Sequence, residues 1–551
     1  MVGRVLRAMN KEIRGLHEAA YLLAGFTFLS QVLALVRDRV FAHTFGAGSV
    51  LDAYFTAFKI PDITFAFLTL FVSSFALVPL LAEKGGPHSD ASRRLLGSLL
   101  LVFGAISIVA AGVLFIATPW LVESFFGHLP SAVRENIVVL SRVMLLQPLL
   151  LGVSSIIASI VQASKKFFLY ALAPIFYNVG IIIGATFFYS SMGVVGLAWG
   201  VVLGAVLHLG VQFIPLFLHE YSYIPIFSLN HIKEVAQVMR LSLPRALTLT
   251  INQVLFFFLI AIASLAALGS VSVFSFAFNL QSVPLSIIGV SYAAALFPSL
   301  ALLYARGDHA TFSKEVWAAV RHVVLWITPA IALMVVLRAH IVRVILGSGE
   351  FTWADTRLTA AILAGFVISL IAQAVILIFS RAYYAAGKTL EPVLISFGGA
   401  VVAVVSSFIA VEWFKGATLT RYFIEDLFRV ANIPGTEVVV IALVYSLVMT
   451  VSALLFGFLY ARRFGFEKSV MTSFLLSFAA SVFGASAAYL TLQIFGPLLP
   501  TETFFGIFIQ GFVAGVVGIL VWALMHTVLK SRDFLEVASI LYRLILGTHK
   551  P

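Results

Sequence analysis

Long, uninterrupted apolar runs dominate this sequence and limit the folds that it can adopt. A helix needs about 20 mostly apolar residues to cross the hydrocarbon core of a bilayer. The runs are continuous instead of alternating, which excludes a membrane β-barrel. The fourteen runs of sufficient length lie at roughly residues 18–44, 50–82, 95–119, 136–163, 168–189, 193–217, 243–267, 271–304, 316–338, 356–386, 392–412, 437–461, 469–496 and 503–529. We therefore predict an all-α integral membrane protein with about 14 transmembrane helices.

The composition agrees with a membrane protein and removes several other classes. Hydrophobic residues make up 61% of the chain and charged residues 11%, whereas charged residues average about 25% in soluble domains. The net charge of +11 suits membrane topology and contact with anionic lipid headgroups rather than nucleic-acid binding. Cysteine is absent, which excludes disulfides, thiol catalysis and thiolate metal sites.

The distribution of positive charge predicts the orientation of the chain in the membrane. Most of the 35 Lys and Arg residues lie in the termini and in alternate connections between the predicted helices. The turns near residues 190 and 268 carry none. Because cytoplasmic segments are enriched in Lys and Arg, both termini are predicted to be cytoplasmic. Residues 1–17 are interpreted as a retained amphipathic segment, since no signal-peptide cleavage pattern follows them.

The predicted helices form two groups of six, followed by a final pair. A faint repeat supports this division, since Gly48-Ser49-Val50 recurs as Gly269-Ser270-Val271. An even six-helix period relates the two groups by an axis along the membrane normal. The predicted segments after residue 17 are an N-terminal lobe at 18–220, an interfacial linker helix at 221–242, a C-terminal lobe at 243–462 that includes an outside connection at 413–436, helices 13 and 14 at 463–530, and a cytoplasmic tail at 531–551.

The first two predicted helices contain charges where a bilayer tolerates them least. A charge within a span is costly and usually faces a polar interior, so a functional site is the first hypothesis. The alternative is a set of salt bridges and snorkelling side chains that lock the two helices, and we interpret Arg39 and Asp62 in that way. The residues predicted to bind substrate or to gate its passage are Arg37, Asp38, Asp52 and Lys59.

Amide side chains accompany these charges. Gln31 precedes them on the first helix, Gln253 and Asn279 lie on helices 7 and 8, and Arg245 lies at the inner entrance of helix 7. Cations together with amides suit an anionic, polar headgroup, because Arg binds phosphate as a bidentate donor and Lys binds it as a point charge. No catalytic constellation, zinc-site spacing or nucleotide-binding loop occurs. We therefore predict a non-enzymatic protein without a metal or cofactor.

Short motifs follow one another at a fixed spacing in the first helix pair. They are Val36-Arg37-Asp38, Phe45-Gly46-Ala47-Gly48, Asp52-Ala53, Ala57-Phe58-Lys59-Ile60-Pro61 and Val78-Pro79-Leu80-Leu81-Ala82-Glu83. This series resembles the MurJ (MviN) lipid II flippases, which belong to the multidrug/oligosaccharidyl-lipid/polysaccharide exporter superfamily. Weaker matches extend the resemblance to about residues 20–400.

The resemblance implies a V-shaped transporter of two six-helix lobes and two C-terminal helices in the bacterial cytoplasmic membrane. Such proteins carry an undecaprenyl-pyrophosphate-linked glycopeptide from the inner to the outer leaflet by alternating access. The headgroup is expected in a cavity of helices 1, 2, 7 and 8, and the lipid tail in a groove at helices 13 and 14. Anionic lipids and the cell-wall synthesis machinery are the partners expected from this resemblance and from the net charge.

The chain departs from the family pattern at expected cavity cations. Arginine is usual where this chain has Gln31, Phe65, Ala66 and Asn279. Either fewer cations hold the pyrophosphate, or the substrate is another polyprenyl-linked oligosaccharide. A cation-coupled drug exporter of the same superfamily and an integral-membrane enzyme of envelope synthesis are the further alternatives.

Overall fold

The computed structural model describes residues 16–72, 74–87, 89–164, 166–218, 225–228, 231–498 and 503–546. These residues form helices and turns and contain no β-strand, which confirms the predicted all-α class. The amphipathic segment predicted at residues 1–17 lies outside the described residues, except for its last two. The chain divides into two compact units, Met1–Ser272 and Val273–Pro551, and the lobe bounds predicted from the sequence stay a prediction.

The first unit contains eleven complete described helices. They are α1 (Leu16–Phe45), α2 (Ser49–Ala57), α3 (Lys59–Val72), α4 (Ser74–Glu83), α5 (Asp90–Phe126), α6 (Ser131–Met144), α7 (Leu146–Ala163), α8 (Phe167–Ile183), α9 (Tyr189–Met192), α10 (Val194–Leu218) and α11 (Ile232–Ala263). A π-helical turn at Gly184–Phe188 joins α8 to α9. The unit ends within the first turn of α12 (Ser270–Pro284).

The second unit contains the rest of α12 and the helices that follow it. A π-helical segment at Leu285–Val290 continues α12 into the next helix. The remaining described helices are α13 (Ser291–Ala305), α14 (His309–Val336), α15 (Arg338–Ile345), α16 (Trp353–Val367), α17 (Leu370–Ala385), α18 (Leu390–Gly416), α19 (Thr418–Phe428), α20 (Glu437–Phe464), α21 (Ser469–Phe495), α22 (Phe504–Val528) and α23 (Arg532–Leu546).

The helix lengths agree with the predicted membrane spans. Among the described residues, 12 helices are long and apolar enough to cross a membrane, or up to 13 if a bent pair counts as one span. The predicted segment 18–44 coincides with α1, which is 30 residues long. Every predicted run therefore coincides with one of these spans, with α1 or with the bent pair, in agreement with about 14 spans, although some spans consist of two or three consecutive helices.

Glycines allow two helices of the first unit to pack backbone against backbone. A Cβ on Gly180 would lie 2.3 Å from the Cα of Gly204, and a Cβ on Gly184 would lie 2.5 Å from the Cα of Gly200. Without a hydrophobic driving force between helices in lipid, such close contact of small residues is a main source of association. The seam fixes α10 against α8 and the π-helical turn, which positions one wall of the cavity described below.

Two helices depart from the simple spans predicted from apolar runs. The predicted run 356–386 is bent by 43° between α16 and α17, where the Ser369 hydroxyl donates to the Phe366 carbonyl at 2.6 Å. A side chain that inserts into the helical ladder is a recognised cause of bending. Residues 232–242, predicted as part of a separate linker helix, continue without a break into α11. Helix continuity depends on packing as well as on the local pattern.

The connection at 413–436, which is predicted to lie outside, contains the short, anchored helix α19. On the inner side of α19, the buried Glu425 carboxylate accepts hydrogen bonds from Arg421 at 2.8 Å and from Thr436 at 2.7 Å. On the other side, Phe423 and Leu427 are exposed. This agrees with the amphipathic pattern of the segment, because the polar anchor is buried within the protein and the apolar side faces outward.

Candidate functional site

A cavity of about 600 Å³ lies within the first unit, between α1, α3, α7, α8, α10 and α11. It contains ten polar residues and nine apolar ones. The apolar lining residues are Leu23, Phe26, Phe65, Val72, Ala158, Ala171, Pro174, Ala246 and Leu249. The polar lining residues are Thr27, Ser30, Gln31, Thr69, Ser155, Gln162, Tyr170, His208, Ser242 and Arg245. Ligand sites combine apolar side chains with convergent polar groups, and this cavity has a larger polar share than the mostly apolar lining that is usual for such sites.

Two of the residues predicted from the sequence meet in this cavity. Gln31 projects from α1 and Arg245 from α11, near the start of the predicted span of that helix. Phe65, one of the positions where the family pattern has arginine, also lines the cavity. Arg245 is thus the one Arg or Lys among the described lining residues.

Arg37 and Asp38 form an ion pair next to the lining, but they are not part of it. The Arg37 guanidinium donates to Asp38 Oδ1 at 2.8 and 3.0 Å and to Asn178 Oδ1 at 3.1 Å. Asn178 in turn donates from Nδ2 to the Pro174 carbonyl at 3.1 Å. The Asp38 side chain is 2% exposed, so its charge depends on the neighbouring cation. The cluster connects α1 to α8.

Lys59 lies at the start of α3 and forms an ion pair one turn along the same helix. Its Nζ is 3.6 Å from Asp62 Oδ2, and the two side chains are 19% and 25% exposed. This is the i, i+3 spacing at which oppositely charged helical side chains meet. Both side chains of the pair are therefore partly accessible.

Asp52 is buried and fixes the beginning of α12. Its Oδ2 accepts a hydrogen bond from the Gly269 amide at 2.6 Å, and its Oδ1 accepts bonds from the Ser272 amide at 2.8 Å and from the Ser272 hydroxyl at 2.5 Å. A carboxylate at a helix N-terminus satisfies amides that lack an intrahelical partner and interacts favourably with the helix dipole. Gly269 has a positive φ of 92°, and a Cβ there would lie 2.6 Å from the Ala47 carbonyl oxygen.

The remaining predicted residues lie elsewhere. Gln253 is a partly exposed residue of α11 and is not among the cavity-lining residues. Asn279 belongs to α12 in the second unit, where its carbonyl accepts a hydrogen bond from the Ser282 hydroxyl at 2.7 Å. Of the predicted residues, the cavity lining thus includes Gln31 and Arg245. The four charged residues Arg37, Asp38, Asp52 and Lys59 are not in the lining and form the ion pairs and hydrogen bonds described above.

Sequence reasoning missed His208, which lines the cavity from α10. Its Nδ1 is 2.8 Å from the hydroxyl oxygen of Ser154 on α7, and Ser154 is fully buried. The available signal was that His208 is the one titratable residue in the stretch 194–218, and ionisable residues within spans mark functional sites by default.

Comparison with solved structures defines the class of protein. One that is titled "Lipid II flippase MurJ, inward closed conformation" matches 94% of this chain and 100% of its own, with a TM-score of 0.71 and 23% identity. A multidrug resistance MATE family transporter of the MOP superfamily matches 80% of this chain and 95% of its own, with a TM-score of 0.63 and 17% identity. The fold of this chain is therefore similar to that of these two proteins.

Sequence comparison then gives the family. The family model described as "Lipid II flippase MurJ" matches residues 41–508, so the chain belongs to the MurJ family. The lipid II flippase MurJ of Burkholderia cenocepacia is 26% identical over 415 residues, which cover 74% of this chain and 80% of the relative. The probable lipid II flippase MurJ of Bdellovibrio bacteriovorus is 29% identical over 409 residues, which cover 70% and 76%.

Proposed function

We propose that this protein translocates lipid II, the lipid-linked peptidoglycan precursor, across the bacterial cytoplasmic membrane. The match of the MurJ family model over residues 41–508 carries this proposal. The apolar helices and the cavity between six of them are consistent with transport of an amphipathic molecule. A multi-pass transporter that moves a lipid between leaflets needs no bond-making chemistry, in agreement with the predicted absence of enzymatic activity.

In this proposal the cavity of the first unit receives the polar headgroup. Arg245 binds the diphosphate, for which a guanidinium offers paired donors, and Gln31 adds an amide contact. The ion pair of Arg37 and Asp38 positions α1 against α8, and Asp52 holds the start of α12. Alternating access, two six-helix lobes and a tail groove at the last two spans remain parts of the proposal.

Five assignments rest mainly on the sequence. Lys59 is proposed to exchange its partner Asp62 for a headgroup phosphate during transport, and Gln253 and Asn279 are proposed as additional amide contacts. The cytoplasmic position of both termini follows from the Lys and Arg distribution. Anionic lipids are proposed partners because of the net charge of +11, and the cell-wall synthesis machinery is proposed as the consumer of the product.

Depletion complementation tests the proposal. Cells that lose their own lipid II flippase should survive when this chain is expressed, and vesicles from them should translocate lipid II. Immunoblotting of the membrane fraction controls for expression and insertion. Correctly inserted protein that neither restores growth nor translocates lipid II would overturn the function.

Arg37 provides the sharpest variant in the same assay. Arg37→Ala should abolish rescue, because Asp38 Oδ1 and Asn178 Oδ1 then lose the guanidinium that bonds both of them and connects α1 to α8. Arg37→Lys should rescue partially, since an ammonium group keeps the charge but cannot bond Asp38 and Asn178 with the same geometry. Arg39→Ala is the matched control and should be mild. Full rescue by both Arg37→Ala and Lys59→Ala would contradict the assigned roles.

A further inference from the structure

The polar groups of the cavity are mostly uncharged. Among the described lining residues, Arg245 is the one permanent cation, and no carboxylate accompanies it. Eight other lining residues carry a neutral hydroxyl, phenol or amide group. Diphosphate is matched by guanidinium and ammonium groups, whereas neutral donors and acceptors match the hydroxyls and amides of sugars and peptides. The cavity therefore offers more to a glycopeptide than to a phosphate.

One lining residue has an unused polar group. Ser242 is 1% exposed, and its hydroxyl makes no hydrogen bond to any described residue. Buried polar groups are almost always paired, and each exception requires an explanation. A ligand with hydroxyl or amide groups in the cavity would supply the missing partner.

His208 is held in a fixed orientation on the α10 wall. Its Nδ1 is 2.8 Å from Ser154 Oγ, and that hydroxyl belongs to a residue with no exposed surface. The hydrogen bond fixes the direction of the ring, and because the Ser154 hydroxyl can donate to Nδ1 or accept from it, Nε2 can serve a ligand as an acceptor or as a donor. The Nε2 edge is therefore the edge that remains to serve a ligand in the cavity.

We propose that His208, oriented by Ser154, hydrogen-bonds the sugar–peptide part of the lipid-linked headgroup, whereas Arg245 binds its diphosphate. This inference rests on the proposed function and divides the headgroup between two walls of one cavity. His208 contacts the substrate in this scheme, and Ser154 is a positioning residue that acts through it.

Binding of two ligands to the full-length protein in nanodiscs tests the division. One ligand is lipid II, and the other is undecaprenyl diphosphate, which has the same tail and diphosphate without the glycopeptide. His208→Ala should weaken lipid II binding about five- to tenfold, as expected for one lost hydrogen bond, and should leave undecaprenyl diphosphate binding unchanged. Arg245→Gln should weaken the binding of both ligands.

Three further variants separate contact from structural damage. His208→Gln keeps a polar side chain and should recover part of the affinity. Ser154→Ala should weaken lipid II binding by itself but add nothing in the His208→Ala background, because the two residues act as a unit. His43→Ala, an exposed histidine at the end of α1, is the matched control and should behave as wild type. Unchanged undecaprenyl diphosphate affinity shows that the variants are folded.

The outcomes distinguish this inference from the proposed function. If the wild-type protein does not bind or translocate lipid II, the proposed function fails. If the wild-type protein does so and His208→Ala binds lipid II equally well, only the division of the headgroup is overturned. Equal weakening of both ligands by His208→Ala would also overturn it, because His208 would then act on the diphosphate or on the fold.

Discussion

Removal of the Asp52 carboxylate should destabilise the protein by an amount that the structure allows us to estimate. In Asp52→Ala the amides of Gly269 and Ser272 and the Ser272 hydroxyl lose their acceptor. Each buried amide without a partner costs about 1–3 kcal/mol. The carboxylate's own desolvation cost is relieved at the same time. We expect a net loss of about 2–4 kcal/mol in the free energy of unfolding.

The measurement is SDS-induced unfolding of the purified protein in mixed micelles, followed by circular dichroism. Asp52→Asn keeps one acceptor oxygen and should lose about half as much free energy as Asp52→Ala. Asp90→Ala is the matched control, because that aspartate is 71% exposed and pairs with Arg93 at the surface. Such a pair contributes about 0–1 kcal/mol.

A double-mutant cycle shows whether the lost free energy comes from the cap. Ser272→Ala should cost less in the Asp52→Ala background than in the wild type, since its hydroxyl then has no carboxylate to bond. Strict additivity of the two variants, or a loss for Asp52→Ala no greater than for Asp90→Ala, would refute the capping role. An Asp52→Asn variant with wild-type stability and no transport would instead indicate direct action on the substrate.

Two further predictions concern helix packing and helix capping. In the same SDS titration, Gly204→Ala should lower the free energy of unfolding by about 1–3 kcal/mol, because its Cβ would lie 2.4 Å from the Tyr177 carbonyl oxygen. Gly210→Ala on the same helix is the control. Its Cβ would meet no atom within 4 Å, so this variant should be neutral or slightly stabilising. The Thr311 amide donates to Asp308 Oδ1 at 3.0 Å, which holds the pKa of Asp308 below its usual range. The stabilisation by this cap should therefore be complete above the unfolded pKa of about 3.9 and be lost as the pH falls through the lower folded pKa. The measurement is hydrogen exchange of the Thr311 amide, corrected for intrinsic rates. The wild type should lose protection in acid, whereas Asp308→Asn should show no such pH dependence.

The apolar runs by themselves determined the class of the protein and the positions of its helices. A segment of about 20 apolar residues has no stable alternative to a helix in lipid, since every backbone amide must be bonded within the segment. This requirement is local, so it can be predicted without knowledge of the fold.

Only the tertiary structure decided which polar residues meet. Asp52 and Lys59 share a helical pattern in the sequence, but Asp52 bonds Gly269 and Ser272, more than two hundred residues away, while Lys59 bonds Asp62 within its own turn. Hydrogen bonds depend on distances of about 3 Å, and such distances are set by how helices pack. The local pattern does not contain that information.

The cavity shows the same division between sequence and structure. The sequence predicts Gln31 as an amide beside the charges of the first helix and Arg245 as a cation at the inner entrance of helix 7, whereas His208 is a candidate because α10 lines the cavity. Its partner Ser154 lies on another helix, and no spacing in the sequence connects the two residues. The sequence determined that polar groups would lie within membrane helices, and the packing of those helices determined which of them face a common space.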